Sequence, residues 1–149
     1  MRDAALAQSG EQSRELWRIR ETIPEAQFTN VKHDVSVPVS RIPEFIDRAG
    51  RSLRERFGDI DVYCFGHVGD GNLHYNVGSE ALMARREEVS RVVYDALDAF
   101  GGSISAEHGL GQLKREEIRR HKHALELELM RSLKRTLDPK GLLNPGKLL

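Results

Sequence analysis

Two histidines, His67 and His74, bracket an Asp-Gly pair in the stretch HVGDGNLH at residues 67–74. The chain has only 6 histidines among 149 residues, so two of them around one turn suggest a shared task. Asp-Gly favours a two-residue hairpin turn, because both turn positions need a positive φ. A turn at these two residues places His67 directly opposite His74, with Cβ atoms about 4.5–5.5 Å apart. Two imidazoles at that spacing can bind one metal ion, at about 2.0–2.1 Å per nitrogen.

The same register sorts the two predicted strands, 60–68 and 72–77, into two faces. The apolar face predicts core and comprises Val62, Cys64, Val68, Leu73, Tyr75 and Val77. The other face is typical of a pocket floor and comprises Asp61, Tyr63, Phe65, His67, His74 and Asn76. Two cross-strand histidines on a solvated face remain the alternative, since a metal site needs a third ligand.

A candidate third ligand lies in SAEHGLG, residues 105–111, where Glu107 and His108 are adjacent. Neighbouring side chains of an extended backbone point to opposite sides. One of the two could therefore reach a metal ion while the other meets a substrate. Taken by itself, the segment is better explained as an ordinary loop leading into a helix, with Glu107 as a charge near the helix N-terminus.

Composition restricts the class of protein. The length suits one domain with its own core, and 23 basic residues balance 23 acidic ones. Without a basic stripe, nucleic acid is not expected as a partner. No apolar run approaches the ~20 residues of a membrane span, the N-terminus does not resemble a signal peptide, and one cysteine excludes a disulfide framework. These features predict a cytoplasmic protein.

Hydrophobic periodicity predicts strands interspersed with helices, and hence an α+β fold with an antiparallel sheet packed by helices. The predicted helices cover residues 1–23, 40–57, 82–100, a short segment from about 114, and 124–137. The predicted strands cover 32–38, 60–68 and 72–77. Pro24 and Gly58 mark the ends of the first two helices. The apolar stripe of the last helix comprises Leu125, Leu129, Met130, Leu133 and Leu137.

Four motifs together resemble the C-terminal domain of FAD-linked oxidases, a family that includes D-lactate dehydrogenase, the glycolate oxidase flavoprotein subunit and D-2-hydroxyglutarate dehydrogenase. They are KHDVSVPVSRIPEF (32–45), GHVGDGNLHYNV (66–77), SAEHGLGQLK (105–114) and DPKGLLNPGKLL (138–149). Their order is that of the family, and the resemblance begins at about Trp17. It implies that residues 1–149 form a ferredoxin-like substrate and metal domain, which closes over FAD held by a separate N-terminal domain.

The resemblance also implies roles for individual residues. The ligands implied for a divalent ion, zinc or manganese, are His67, His74 and Glu107. The residues implied to meet the substrate are His108, as base on its hydroxyl, and Arg20, Lys32 and Asn76. Asn144 is implied to lie toward the flavin. The expected reaction is oxidation of a 2-hydroxy acid to the 2-oxo acid, with hydride passing to a cofactor because no side chain accepts it.

The chain shows no Gly-rich loop that would cradle the phosphates of FAD. We therefore expect it to depend on a flavin-binding domain or subunit and to be inactive alone. A different class of function is a non-catalytic interaction domain, which would form a homodimer or bind a partner chain. A metal-dependent hydrolase is a third alternative, since two histidines and a glutamate also form a hydrolytic zinc site.

Overall fold

The fold is built on an antiparallel sheet, seen in a computed structural model that describes residues 4–26 and 29–149. Its strands are β1 (Asn30–Val31), β2 (Asp34–Ser36), β3 (Asp61–His67) and β4 (Asn72–Gly78). β4 pairs with β3 along one edge and with both β1 and β2 along the other. Since β1 and β2 keep one register against β4, they form a single strand interrupted at residues 32–33.

In the described chain, one helix precedes the strands, one lies between β2 and β3, and four follow β4. Their bounds are α1 Gly10–Thr22, α2 Ile42–Phe57, α3 Glu80–Met83, α4 Arg86–Asp98, α5 Arg115–His121 and α6 Ala124–Leu137. Short 3₁₀ turns cover Ile23–Ala26, Val39–Arg41 and Val68–Asp70. Ser103 forms a single bridge with Ser36, at the outer edge of β2. This bridge takes the place of the fourth strand in a βαββαβ order, and it confirms the predicted ferredoxin-like α+β fold.

Local signals explain where the helices begin and end. Ser9 caps α1 by accepting a hydrogen bond from the N–H of Gln12 at 3.2 Å, so the helix starts later than predicted. Residues 1–3 of that prediction lie outside the described residues. Gly58 ends α2 with a φ of 81°, which a residue without Cβ adopts freely. The predicted helix 82–100 is two helices, because the chain turns between α3 and α4.

The core lies between one face of the sheet and helices α2 and α4. Phe45 of α2 packs edge-on against Tyr75 of β4 and against Phe100, with ring centroids 5.5 and 5.8 Å apart. The predicted core positions Leu73, Tyr75 and Val77 are buried. The helices therefore cover the apolar face of the hairpin and leave its polar face to the site.

The register of the hairpin differs from the predicted one. His67 lies opposite Asn72, and His74 lies opposite Phe65. The connection uses four residues, because Val68–Asp70 form a 3₁₀ turn and only Gly71, at φ 77°, is left-handed. The pairing thus shifts by two positions, which keeps every strand residue on its predicted face. Val68, predicted to be core, belongs to the turn and is 64% exposed.

The apolar stripe of α6 is not part of the core. Its four leucines are between 57% and 77% exposed, and the buried residue of this helix is Leu127. Leu142 and Leu143 in the tail are exposed as well. We call the exposed leucines of α6 and the tail the leucine surface; its members are Leu125, Leu129, Leu133, Leu137, Leu142 and Leu143. Among the described residues, no helix has the length and apolarity to cross a membrane.

Candidate functional site

A cavity of about 700 Å³ opens on the polar face of the sheet. This volume lies within the range of small-molecule sites, about 300–1,000 Å³. Its walls come from the end of α1, the strands and the loop 108–114. The predicted site residues that line it are Arg20, Lys32, His74, Asn76 and His108. The fold thus gathers around one cavity residues that are up to 88 positions apart in sequence, counting from 20 to 108.

Ring contacts place the histidines and one arginine relative to each other. His74 lies between Phe65 and His108, with ring centroids at 5.1 and 5.9 Å. The guanidinium of Arg20 lies 5.3 Å from the centroid of Phe65, at a distance where cation–π attraction operates. Phe65 therefore supports both His74 and a cation at the mouth of the cavity.

The charge state of His74 follows from its surroundings. Burial lowers the pKa of His74, against the opposing effect of the carboxylates of Glu107 and Asp34. The guanidinium of Arg20 lowers it further. Its imidazole is therefore neutral at neutral pH, which is the form that can accept a proton or bind a metal ion.

The remaining predicted metal ligands, His67 and Glu107, lie beside the cavity rather than in its lining. His67 Nε2 is 4.0 Å from Glu107 Oε1. The side-chain amide of Asn72, opposite His67 in the hairpin, donates a hydrogen bond to Glu107. Two imidazoles and a carboxylate are a donor set that suits zinc. Within residues 4–26 and 29–149, however, no group of three or more His, Cys, Asp or Glu side chains is gathered closely enough to hold an ion.

Asn144, predicted to lie toward a flavin, is separate from these residues. It is in the C-terminal tail, at a φ of 47°, and its carbonyl accepts a hydrogen bond from the N–H of Lys147 at 3.3 Å. It does not line the cavity. The tail therefore belongs to a different part of the surface from the candidate substrate site.

Asp34 is a central residue of the site that the sequence motifs did not single out. Its carboxylate is 3% exposed, and Oδ2 accepts backbone N–H groups from Ala106, Glu107 and His108 at 3.2, 3.0 and 2.9 Å. Burial raises the pKa of Asp34, but these donors and the charges of His108 and Lys114 outweigh it, so the pKa is lowered. The available signal was a carboxylate in an alternating strand, on the face opposite His33 and Val35.

Lys114 is a second cavity residue that was not predicted. Its Nζ donates to the carbonyl oxygen of Ile104 at 2.7 Å, and it lines the cavity. Burial lowers the pKa of Lys114, opposed by the nearby carboxylate of Asp34. Its signal was its place at the end of the motif SAEHGLGQLK. With Arg20 and Lys32, it gives the cavity three cationic side chains.

The cavity on this ferredoxin-like sheet is lined by three cationic side chains, three histidines and the amide of Asn76, groups that can donate hydrogen bonds to a small anion. Residues 1–148 match the family described as FAD linked oxidases, C-terminal domain. The chain belongs to this family.

Curated relatives carry one recurring name. The chain is 45% identical over 154 residues to D-2-hydroxyglutarate dehydrogenase of Xanthomonas citri pv. viticola (strain LMG 965 / NCPPB 2475 / ICMP 3867 / CFBP 7660), covering 98% of this chain and 33% of the relative. It is 42% identical over 155 residues to the mitochondrial D-2-hydroxyglutarate dehydrogenase of Arabidopsis thaliana, covering 99% and 26%. The Bos taurus mitochondrial enzyme is 40% identical over 153 residues, covering 99% and 27%. The chain thus spans about a third or less of the length of these relatives.

Proposed function

We propose that this chain is the substrate-binding part of an FAD-dependent oxidoreductase that converts a 2-hydroxy acid to the 2-oxo acid. The observation that carries the proposal is the cavity, where three cationic side chains and three histidines meet in a volume suited to a small acid. D-lactate, glycolate and D-2-hydroxyglutarate are the candidate substrates. The names of the relatives favour the last of these.

Four of the residues that line the cavity have a task in this reaction. Arg20 and Lys32 bind the carboxylate, because charge-assisted hydrogen bonds orient an anion more strongly than neutral ones. Asn76 contacts the substrate from the sheet. His108 takes the hydroxyl proton as general base, because its imidazole lines the cavity where the acid would bind. When bound, flavin would supply the acceptor for the hydride on the carbon that bears this hydroxyl. The acid then loses two electrons and two hydrogens in all.

Substrate binding by this chain can be tested without turnover, by calorimetric titration with the three hydroxy acids. Arg20→Ala should weaken binding about 10-fold or more, because a charge-assisted contact contributes roughly 1.5–3 kcal/mol. Arg51→Ala is the matched control, since Arg51 is exposed, pairs with Asp47 at 3.7 Å and does not line the cavity. Equal affinities for the two variants would contradict the assignment of Arg20. Absence of binding by the unmodified chain would contradict the substrate class.

For the divalent ion, zinc or manganese, we propose His67, His74 and Glu107 as ligands. Support comes from the donor types, from the 4.0 Å approach of His67 Nε2 to Glu107 Oε1 and from the lowered pKa of His74. The ion would polarise the substrate hydroxyl and carboxylate.

Elemental mass spectrometry of the purified chain tests the metal proposal. We expect about one ion per chain when zinc or manganese is supplied, and its loss in His67→Ala and in His74→Ala, since a structural or catalytic site holds its ion through at least three ligands. His123→Ala is the control, because His123 caps α6 through Leu125 N at 3.2 Å and lies outside the cavity. Equal metal content in all variants would remove these ligands from the proposal.

The partner we propose is a flavin-binding domain or subunit. Support comes from the greater length of the relatives and from the exposed leucines of α6, which are more than half exposed. Large apolar patches on a surface mark contact sites. Asn144 follows this surface in the tail and is our candidate for a contact with the flavin. The cytoplasmic location stays a prediction, since several relatives are named as mitochondrial.

The leucine surface also favours a second candidate function, a non-catalytic interaction domain that dimerises or binds another chain. Light scattering after size exclusion separates the two at low concentration. A strict monomer that binds a hydroxy acid supports the catalytic role. A dimer that binds none supports the interaction domain.

A further inference from the structure

We propose that Asp34 is the positioning residue for His108, holding the backbone of residues 106–108 and orienting the imidazole toward the cavity. The inference rests on the proposed function, in which His108 takes the hydroxyl proton. It adds a task for a carboxylate that contacts no substrate atom in that scheme.

The geometry around Oδ2 of Asp34 is that of an anion held by a backbone nest. Three successive N–H groups, from Ala106, Glu107 and His108, point to this one oxygen at 3.2, 3.0 and 2.9 Å. The hydroxyl of Ser105 lies 3.2 Å from the same oxygen and 2.9 Å from the carbonyl oxygen of Gly109, so its single proton is shared between two acceptors. Hydrogen bonds to a carboxylate are about twice as strong as neutral ones. The loop conformation at 106–108 is therefore set by a single buried charge.

His108 needs such an anchor because packing does not hold it. Its side chain is 66% exposed, and Gly109 follows it at a φ of 76°. An exposed side chain beside a glycine has many accessible orientations, and a base that is misplaced by about 1 Å can lose about 100-fold in rate. The hydrogen bond from the backbone N–H of His108 to Asp34 fixes the backbone that carries this side chain.

The ring of His108 lies near the same oxygen. Its Nδ1 is 3.7 Å from Oδ2 of Asp34, which is longer than a hydrogen bond, so the carboxylate acts on the ring through its negative charge and favours the tautomer that carries the proton on Nδ1. Nε2 is then the nitrogen with a free lone pair, which is the requirement for a base. Partners of this kind, behind a functional histidine, commonly set its tautomer.

The position of Asp34 in the sheet also relates the loop 106–108 to His74. Asp34 lies opposite His74 in the pairing of β2 with β4. The carboxylate therefore connects β2, the neighbour of the strand that presents His74, to the loop that presents His108. The rings of His74 and His108 lie 5.9 Å apart across this connection.

The test compares Asp34→Asn with Leu53→Ala. The amide keeps the size of the side chain and removes its charge. Leu53 is fully buried in α2, on the opposite side of the sheet, so its truncation lowers stability without touching the loop. Amide hydrogen exchange is measured on the 149-residue chain, and turnover on the chain joined to the flavin-binding portion of a relative.

For Asp34→Asn, we expect exchange at Ala106, Glu107 and His108 to accelerate about 10-fold or more, while amides of β4 keep their protection. The kcat should fall by about 10- to 100-fold with KM changed by less than about 3-fold, because a positioning residue acts in the reacting geometry. Leu53→Ala should accelerate exchange throughout the sheet and leave kcat near its original value.

Unchanged exchange at 106–108 in Asp34→Asn would overturn the inference, and so would accelerated exchange with unchanged kcat. An equal fall of kcat in both variants would reduce Asp34 to a stabilising role and also overturn it. If the unmodified chain, joined to the flavin-binding portion of a relative, shows no turnover, the proposed oxidation of a 2-hydroxy acid is contradicted. The exchange rates at 106–108 and the ¹⁵N resonance of His108 Nδ1, which reports its tautomer, then decide whether Asp34 orients this loop.

Discussion

His33 should make the stability of this protein depend on pH. Its side chain is 1% exposed, with Nδ1 at 2.8 Å from the carbonyl oxygen of Tyr75 and Nε2 at 3.0 Å from Ser90 Oγ. Burial lowers the pKa of His33 from 6.5 to about 4. The neutral ring donates from Nδ1 to Tyr75 and accepts at Nε2 from the serine hydroxyl, so both nitrogens are satisfied without a charge.

The sign and size of the effect follow from proton linkage. Between pH 4 and 6.5 the unfolded chain binds a proton at His33 that the folded chain does not. The free energy of unfolding therefore has its full His33 contribution above pH 6.5 and loses it as the pH falls toward 4. At 1.36 kcal/mol per unit of pKa difference, the loss is roughly 3 kcal/mol.

Urea unfolding at pH 7.5, 6.5, 5.5 and 4.5 measures this effect, in the unmodified chain and in His33→Asn. The asparagine amide keeps a donor near Tyr75 and does not titrate. We expect His33→Asn to be less stable than the unmodified chain at pH 7.5. Its free energy of unfolding should also decline less toward pH 4.5, and the two declines should differ by roughly 3 kcal/mol. Ser90→Ala removes the partner of Nε2 but keeps the titrating ring, so it should retain the steep decline. Parallel curves for the unmodified chain and His33→Asn would refute the assignment.

Two further predictions concern the hairpin turn and the leucine surface. Gly71→Ala should destabilise the protein by about 2 kcal/mol or more, because φ is 77° and a Cβ would collide with the carbonyl of Val37. Gly69→Ala, with open space around it, should change the stability by less than about 0.5 kcal/mol, and equal melting temperatures for the two variants would contradict this reasoning. Leu133→Gln should leave the stability of the chain within about 0.5 kcal/mol, because the side chain is 63% exposed. The same variant should weaken binding to a flavin-binding partner in a pull-down titration, and a large stability loss would show that this face is already covered.

The ends of α1 and α2 and the bounds of α6 were predictable because their signals are local, whereas the late start of α1 and the break between α3 and α4 were not predicted. Proline after α1, glycine after α2 and the apolar spacing of α2 all act within a few residues. The bounds of α6 were predicted as observed, at Ala124–Leu137. Which of its faces is buried was not predictable, because an apolar stripe shows that a helix needs a partner without showing whether this chain supplies it.

The hairpin register shows the limit of turn chemistry. Asp-Gly favours a two-residue turn, but Asp70 instead joins a 3₁₀ turn and accepts the N–H of Asn72 at 3.0 Å. Gly71 meanwhile accepts a hydrogen bond from Val37 N at 3.1 Å. This hydrogen bond joins the four-residue turn to the residue that follows β2. The polar face was predicted correctly all the same, because a shift by two residues preserves it.

By itself, the sequence determined the family, the order of the elements and five residues of the cavity, Arg20, Lys32, His74, Asn76 and His108, since motifs and strand alternation are written along the chain. Only the tertiary structure decided that His67 faces Asn72, and that Asp34 holds the loop of His108 across 74 positions. Such contacts depend on which backbone donors converge on a buried charge. That convergence arises when separate segments pack, and no spacing within a single segment encodes it.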